Sequence, residues 1–148
     1  MNKSPRSTAG PNRLEALKQY RQRSATYDLE LVAFEPIRRL AIDRLGLQVG
    51  QTVLDVGCGT GLSLAGLHQR VGVGGEIIGI EQSPEMIELA GQRVKEHGYG
   101  NVKLLCSPAE EASIGGLADA ALLHFTHDIL RLPAALENLL LHLKPGSP

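Results

Sequence analysis

The sequence predicts an α/β fold, a doubly wound and mostly parallel sheet with helices on both faces, incomplete at its C-terminal side. Short apolar runs bounded by turn residues alternate with longer stretches whose apolar residues recur at helical spacing. That alternation implies right-handed crossovers between parallel strands. The chain then stops shortly after a fourth apolar run, with Ser147 and Pro148 following the turn Lys144-Pro145-Gly146.

Residues 1–27 read as a mobile basic tail with a weak helix over residues 13–23. Lys3, Arg6, Arg13, Lys18, Arg21 and Arg23 face a single acid there, Glu15. A basic, acid-poor start also suits an organelle transit peptide, but no clear amphipathic face supports one. Residues 28–148 form the folded domain. Pro36 fits a first helical turn, Ile37, Leu40, Ala41 and Leu45 continue at helical spacing, and Gly46 ends that helix. Residues 52–56 are apolar and read as a buried strand. A helix over residues 62–70 follows, closed by Gly72-Val73-Gly74-Gly75. The second strand, 76–80, ends at Glu81. Ser83 caps the next helix, Pro84 fits its first position and Glu85 suits its positive end. Met86, Ile87, Leu89, Ala90 and Val94 form its expected buried stripe, and Gly98 stops it. Residues 102–105 give a third strand, 117–124 a fourth, and 133–143 a leucine-rich helix. A sheet ending at its fourth strand exposes an apolar edge, so the chain is either part of a longer protein or covered there by a partner, such as a second copy.

Composition narrows the class. Aromatic residues are 3% of the chain against 43% hydrophobic, so the core is aliphatic. The net charge of −1 gives no general attraction to nucleic acid or membrane. Cys58 and Cys106 make no disulfide framework, which suits a cytoplasmic protein. No apolar run is long enough to span a bilayer.

In a parallel sheet, ligands sit beyond the carboxyl ends of the strands. Three features converge there: the loop after the first strand, Glu81, and the segment after His124. The loop carries Gly57, Gly59 and Gly61, and residues without Cβ atoms let backbone turn sharply and approach a ligand. A dinucleotide site wants its third glycine one residue later, and Asp55 would repel a pyrophosphate. A ligand carrying an ammonium group would welcome Asp55. A tight turn without ligand is the plainer alternative.

The run Leu54-Asp55-Val56-Gly57-Cys58-Gly59-Thr60-Gly61 resembles motif I of the class I S-adenosylmethionine-dependent methyltransferases, and the stretch 27–146 is similar to their small-molecule, ubiquinone/menaquinone-biosynthesis type. The resemblance implies a Rossmann-like fold and S-adenosyl-L-methionine as cofactor. It implies that Asp55, Gly57, Cys58, Gly59, Thr60 and Gly61 surround the methionine part, with Asp55 near its amino group. Glu81, with Gln82, matches the acid that accepts the ribose hydroxyls, and Met86 the residue packing on adenine. Glu81 as a plain strand-end charge and Met86 as plain core remain open. The family often carries an acid after strand three; here Cys106-Ser107-Pro108-Ala109-Glu110 places Pro108 there. Adenine recognition then falls to the Ala109 N–H or to Ser107, with Glu110 and His124 completing the expected cofactor contacts. Tyr27 matches a region that folds over the cofactor.

His124 and His127 are the candidate catalytic residues, as a base or a substrate contact. Asp128 either orients His127 or caps the next helical turn. No metal is expected, since no further His or Cys clusters with them. Cys58 is expected to be a small residue that fits the loop and Cys106 buried filler. The resulting reading is in-line methyl transfer to a small-molecule acceptor. Its rivals are a cofactor-binding module without independent turnover and an NAD-dependent enzyme.

Overall fold

A computed structural model describes Lys18, Gln22, Arg23, Thr26, Asp28, Leu29 and residues 31–148. Tyr27 and most of the expected 13–23 helix lie outside the described residues.

A 3₁₀ turn at Val32–Phe34 leads into α1 (Glu35–Arg44). Then come β1 (Thr52–Val56), α2 (Leu64–Val71), β2 (Glu76–Glu81), α3 (Pro84–His97), β3 (Val102–Cys106), β4 (Ala120–Leu123), α4 (His127–Leu130) and α5 (Pro133–Leu141). The strands form one parallel sheet in the order β3-β2-β1-β4. The order reverses between β1 and β4, and at such a switch point the crossovers diverge and open a crevice at the strand ends. The site lies there.

The pleat sorts the core into two layers. Leu54 and Val56 of β1 join Ile78 and Ile80 of β2 under Ala135 and Leu139 of α5. Val53 and Ile77 face the other way, onto Ile42 of α1 and Leu64, Leu67 and Val71 of α2. Asp55 shares the parity of Val53, so its carboxyl emerges on the side of α1 and α2.

Several boundaries differ from the sequence reading. The second helix starts at Leu64, because Gly61 at φ 87° turns the chain and accepts the Leu64 N–H at 3.2 Å. The fourth strand runs only from Ala120 to Leu123. Ahead of it, the Asp119 N–H still donates to the Thr52 carbonyl at 2.8 Å, but the Asp119 carboxylate takes the Thr52 N–H at 2.8 Å and the Lys144 ammonium at 2.6 Å, so a side chain replaces one ladder bond. Phe125, at φ 55°, carries the chain out of the sheet just after His124. The short α4 had no periodic signal. The α3 stripe is mostly half-buried, with Ala90 alone fully buried, since α3 flanks the edge strand and the crevice. Cys106 is exposed, not buried filler, at the end of edge strand β3. The β4 edge is partly occupied by the chain itself: Leu143 bridges Ala118 and the Pro148 carbonyl accepts the Ala121 N–H at 3.0 Å. Among the described residues, no helix is long and apolar enough to cross a membrane.

Candidate functional site

The loop after β1 is tied to β2. The N–H groups of Gly57 and Cys58 both donate to the Ile80 carbonyl, at 2.8 and 3.0 Å. Gly57 holds φ 70°, and a Cβ there would stand 2.4 Å from Thr126 Cγ2. Glycine at this position therefore lets the β4–α4 loop close on the β1 turn. A Cβ on Gly59 would meet nothing within 4 Å, because Gly59 faces open cavity.

Two adjoining cavities share Gly57, Gly59 and Phe125. The first is lined by Asp55, Cys58, Thr60 and His124, and also by Leu31 and Arg38. Asp55 is 3% exposed and, among the described residues, its Oδ2 has no partner. Burial raises its pKa to about 7; Arg38 works against that rise and Glu81 adds to it. Arg38 is 4% exposed, ion-paired with Glu35, and leaves Nε unmatched. His124 Nε2 is also buried without a partner among the described residues. Burial, then Arg38, pushes the His124 pKa below its ordinary value, which favours the neutral ring. Buried polar groups ordinarily find partners. Three unmatched atoms of complementary character around one cavity mark a place for a polar ligand.

The second cavity is lined by Glu81, Gln82, Met86, Ala109 and Glu110 among others. Glu81 Oε2 accepts the Gly59 N–H at 3.1 Å and Oε1 accepts the Ser83 N–H at 3.2 Å. The carboxylate thus clamps the glycine loop to the start of α3, and each oxygen keeps a lone pair for a ligand hydroxyl. Ser83 Oγ accepts the Met86 N–H at 3.3 Å, the predicted cap. Asn138 of α5 holds the loop after β3, donating to the Ala109 and Ala112 carbonyls at 2.8 and 3.0 Å.

Residues 53–146 match the family described as Methyltransferase domain. The chain belongs to that family. It is 36% identical over 97 residues to an aklanonic acid methyltransferase, DauC, from Streptomyces sp. (strain C5), covering 65% of this chain and 44% of that protein. It is 37% identical over 90 residues to the ubiquinone/menaquinone biosynthesis C-methyltransferase UbiE of Citrifermentans bemidjiense, covering 60% of this chain and 38% of that protein. A solved SAM dependent methyltransferase from Aquifex aeolicus superposes with a TM-score of 0.67 at 33% identity, covering 73% of this chain and 58% of that one. The chain spans less than half the length of these two curated relatives.

The cofactor of this methyltransferase family is S-adenosylmethionine. The residues present fit it: Asp55 and Arg38, each with a polar atom unmatched among the described residues, line one cavity beside an open glycine floor. Two expected site residues fall elsewhere. Gly61 lines neither cavity; its α-carbon sits against Leu64 and Ala90, where a Cβ would come within 2.7 Å of Leu64 Cδ1. His127 is exposed and lines neither, because α4 turns it away from the crevice. Asp128 lies in the first turn of α4, lines the second cavity and makes no hydrogen bond to His127. Cys58 is buried, which pushes its thiol pKa upward and leaves it inert. Sequence reasoning missed Arg38 and Phe125. Arg38 stands four residues before the core Ile42, so helical spacing alone puts it on the inward face of α1. Phe125 gave no signal, since its position depends on its positive φ.

Proposed function

We propose that the chain binds S-adenosylmethionine across the two cavities and transfers its methyl group to a small-molecule acceptor. The observation that carries this is the opposed pair in the first cavity. The Asp55 carboxylate suits an ammonium group, and the Arg38 guanidinium suits a carboxylate, so together they complement an α-amino acid. Glu81, Gln82 and Met86 then take the ribose and base in the second cavity.

The cofactor supplies, when bound, a methyl group on a cationic sulfur that needs no further activation. The chain contributes position and shelter. The glycine loop and the Glu81 clamp fix the geometry for in-line attack. Leu31 and Phe125 keep water from the first cavity. His124, held neutral by burial, accepts a proton at Nε2 from an acceptor hydroxyl or acidic carbon. The names of the two curated relatives support a small organic acceptor. A cytosolic setting suits the two unpaired cysteines.

Calorimetric titration tests the reading. S-adenosylmethionine and S-adenosylhomocysteine should bind. 5′-Methylthioadenosine, which lacks the amino acid part, should bind at least about 100-fold more weakly. Binding of NAD alone, or equal binding of methylthioadenosine, would overturn it. A second reading, binding without independent turnover, is favoured by the exposed apolar side chains of Leu140 and Leu141 on α5, which suit a partner surface. Tight cofactor binding with no methylation across phenolic and carbon-acid acceptors would select it.

A further inference from the structure

The stretch at residues 31–34 reaches the first cavity with little apolar anchorage. Its 3₁₀ turn buries no residue, and Leu29 and Val32 are 73% and 63% exposed. A segment with so few buried contacts opens at low cost unless something else holds it. Two contacts do. At one end, the Phe34 ring meets Phe125 edge to face, with centroids 5.3 Å apart. At the other, Asp28 is held by two elements. Thr60 Oγ1 of the glycine loop donates to its carboxylate at 3.1 Å, and Arg93 of α3 donates from Nη2 at 3.3 Å. Arg93 Nε also donates to the Thr60 carbonyl at 3.0 Å, so one guanidinium grips both the loop and the N-terminal side. Between these ends, Leu31 lines the cavity.

We propose that Asp28 is a positioning residue: clasped by Arg93 and Thr60, it holds Leu31 over the first cavity and Phe34 against Phe125, and so sets how long the cofactor stays bound. The inference rests on reading that cavity as the S-adenosylmethionine site. Asp28 lines neither of the two cavities; it acts through the residues that follow it. The pair is only partly shielded, with the Arg93 and Asp28 side chains 33% and 24% exposed, so the clasp is reversible and does not lock the site. The fold does not depend on it, because Asp28 and the 3₁₀ turn contribute nothing to either core layer. The clasp therefore acts on ligand exchange and leaves global stability alone.

Surface plasmon resonance on the full chain, with S-adenosylhomocysteine as the probe, tests this. Asp28→Ala should weaken binding about tenfold, mostly through a faster off-rate. Asp28→Asn, which keeps an acceptor for Thr60 but loses the charge, should fall between. Arg93→Gln, which also loses the bond to the Thr60 carbonyl, should weaken binding at least as much as Asp28→Ala, and the double variant should be no worse than Arg93→Gln, because Asp28 acts through that same contact set. Melting of the ligand-free variants should stay within about 2 °C of the parent. In hydrogen exchange, the amides of residues 31–34 should exchange faster in Asp28→Asn. Unchanged dissociation in both Asp28 variants, or additive effects of Asp28→Ala and Arg93→Gln, would overturn the clasp. If the unmodified chain bound no S-adenosylhomocysteine, the cofactor reading itself would fail, and the clasp with it.

Discussion

Arg38 and Asp55, both buried, line the same cavity as opposite charges, one from α1 and one from the end of β1. The guanidinium offsets only part of what burial costs the carboxylate, so Asp55 still titrates at about 7. The pair is therefore unbalanced in the ligand-free protein. An ammonium group arriving beside the Asp55 carboxylate would complete it, as the proposed function requires.

This imbalance predicts a pH dependence of stability. The Asp55 pKa rises on folding, from 3.8 to about 7. Between those values the folded chain holds a proton that the unfolded chain releases, so its contribution to stability falls as pH rises. A tenfold change in proton affinity is worth about 1.4 kcal/mol, so the loss amounts to a few kcal/mol by about pH 8. Urea denaturation between about pH 5 and about pH 8 should show that decline, and Asp55→Asn should flatten it. Affinity for an ammonium-bearing ligand should run the opposite way, rising across about pH 7 as the carboxylate ionises. Parallel pH profiles for the parent and Asp55→Asn would refute this role for the carboxylate.

Glu81 has a double task, so its replacement should show two effects. Glu81→Ala removes the acceptor for the Gly59 and Ser83 N–H groups as well as the expected ribose contact. Cofactor affinity should drop by one to two orders of magnitude, roughly 1.5–3 kcal/mol of charged hydrogen bonding. Glu81→Gln, which cannot accept with both atoms, should lie closer to Glu81→Ala than to the parent. Isothermal titration with S-adenosylhomocysteine measures both.

The glycines of the loop separate by what surrounds them. In Gly57→Ala the new Cβ would collide with Thr126, 2.4 Å away, at a φ of 70°. Left-handed strain and overpacking together should cost roughly 2–4 kcal/mol of stability. Gly59→Ala meets nothing within 4 Å, so only the strain of φ 56° remains, about 1–2 kcal/mol. Its methyl would stand on the cavity floor, so cofactor binding should suffer more than folding does. Thermal melts beside titrations should show the two variants ranked in opposite orders.

Much of this was readable because the chemistry is local. The apolar β1 run, the alternating glycines, Ser83-Pro84 and Glu81 each act within a few residues of themselves, and the sequence placed them. Asp55, Gly57, Cys58, Gly59, Thr60 and His124 do meet in one cavity, and Glu81, Gln82, Met86, Ala109 and Glu110 in the next. What was hidden depends on distant partners. The Asp119 carboxylate shortens β4 by bonding Thr52 across 67 positions. Asp28 finds Arg93 across 65. His127 looked equivalent to His124, but the positive φ of the intervening Phe125 and the start of α4 at His127 separate the two rings.

That difference supplies a test of the chemistry. His124 lines the cavity and its Nε2 is buried and unpaired among the described residues, whereas His127 is exposed. His124→Gln keeps a polar side chain of similar reach but no titrating nitrogen. It should lower kcat/KM for a hydroxyl or carbon-acid acceptor by about 10²–10⁴, the usual worth of a general base, and beyond any loss of cofactor affinity measured beside it. His127→Ala should leave turnover as it was. Because burial depresses the His124 pKa below 6.5, its acid limb should lie below that value, with a flat profile through neutrality. The limb should vanish in His124→Gln. Turnover in His124→Gln equal to that of the parent would remove the base from the mechanism, leaving alignment and water exclusion to account for the rate.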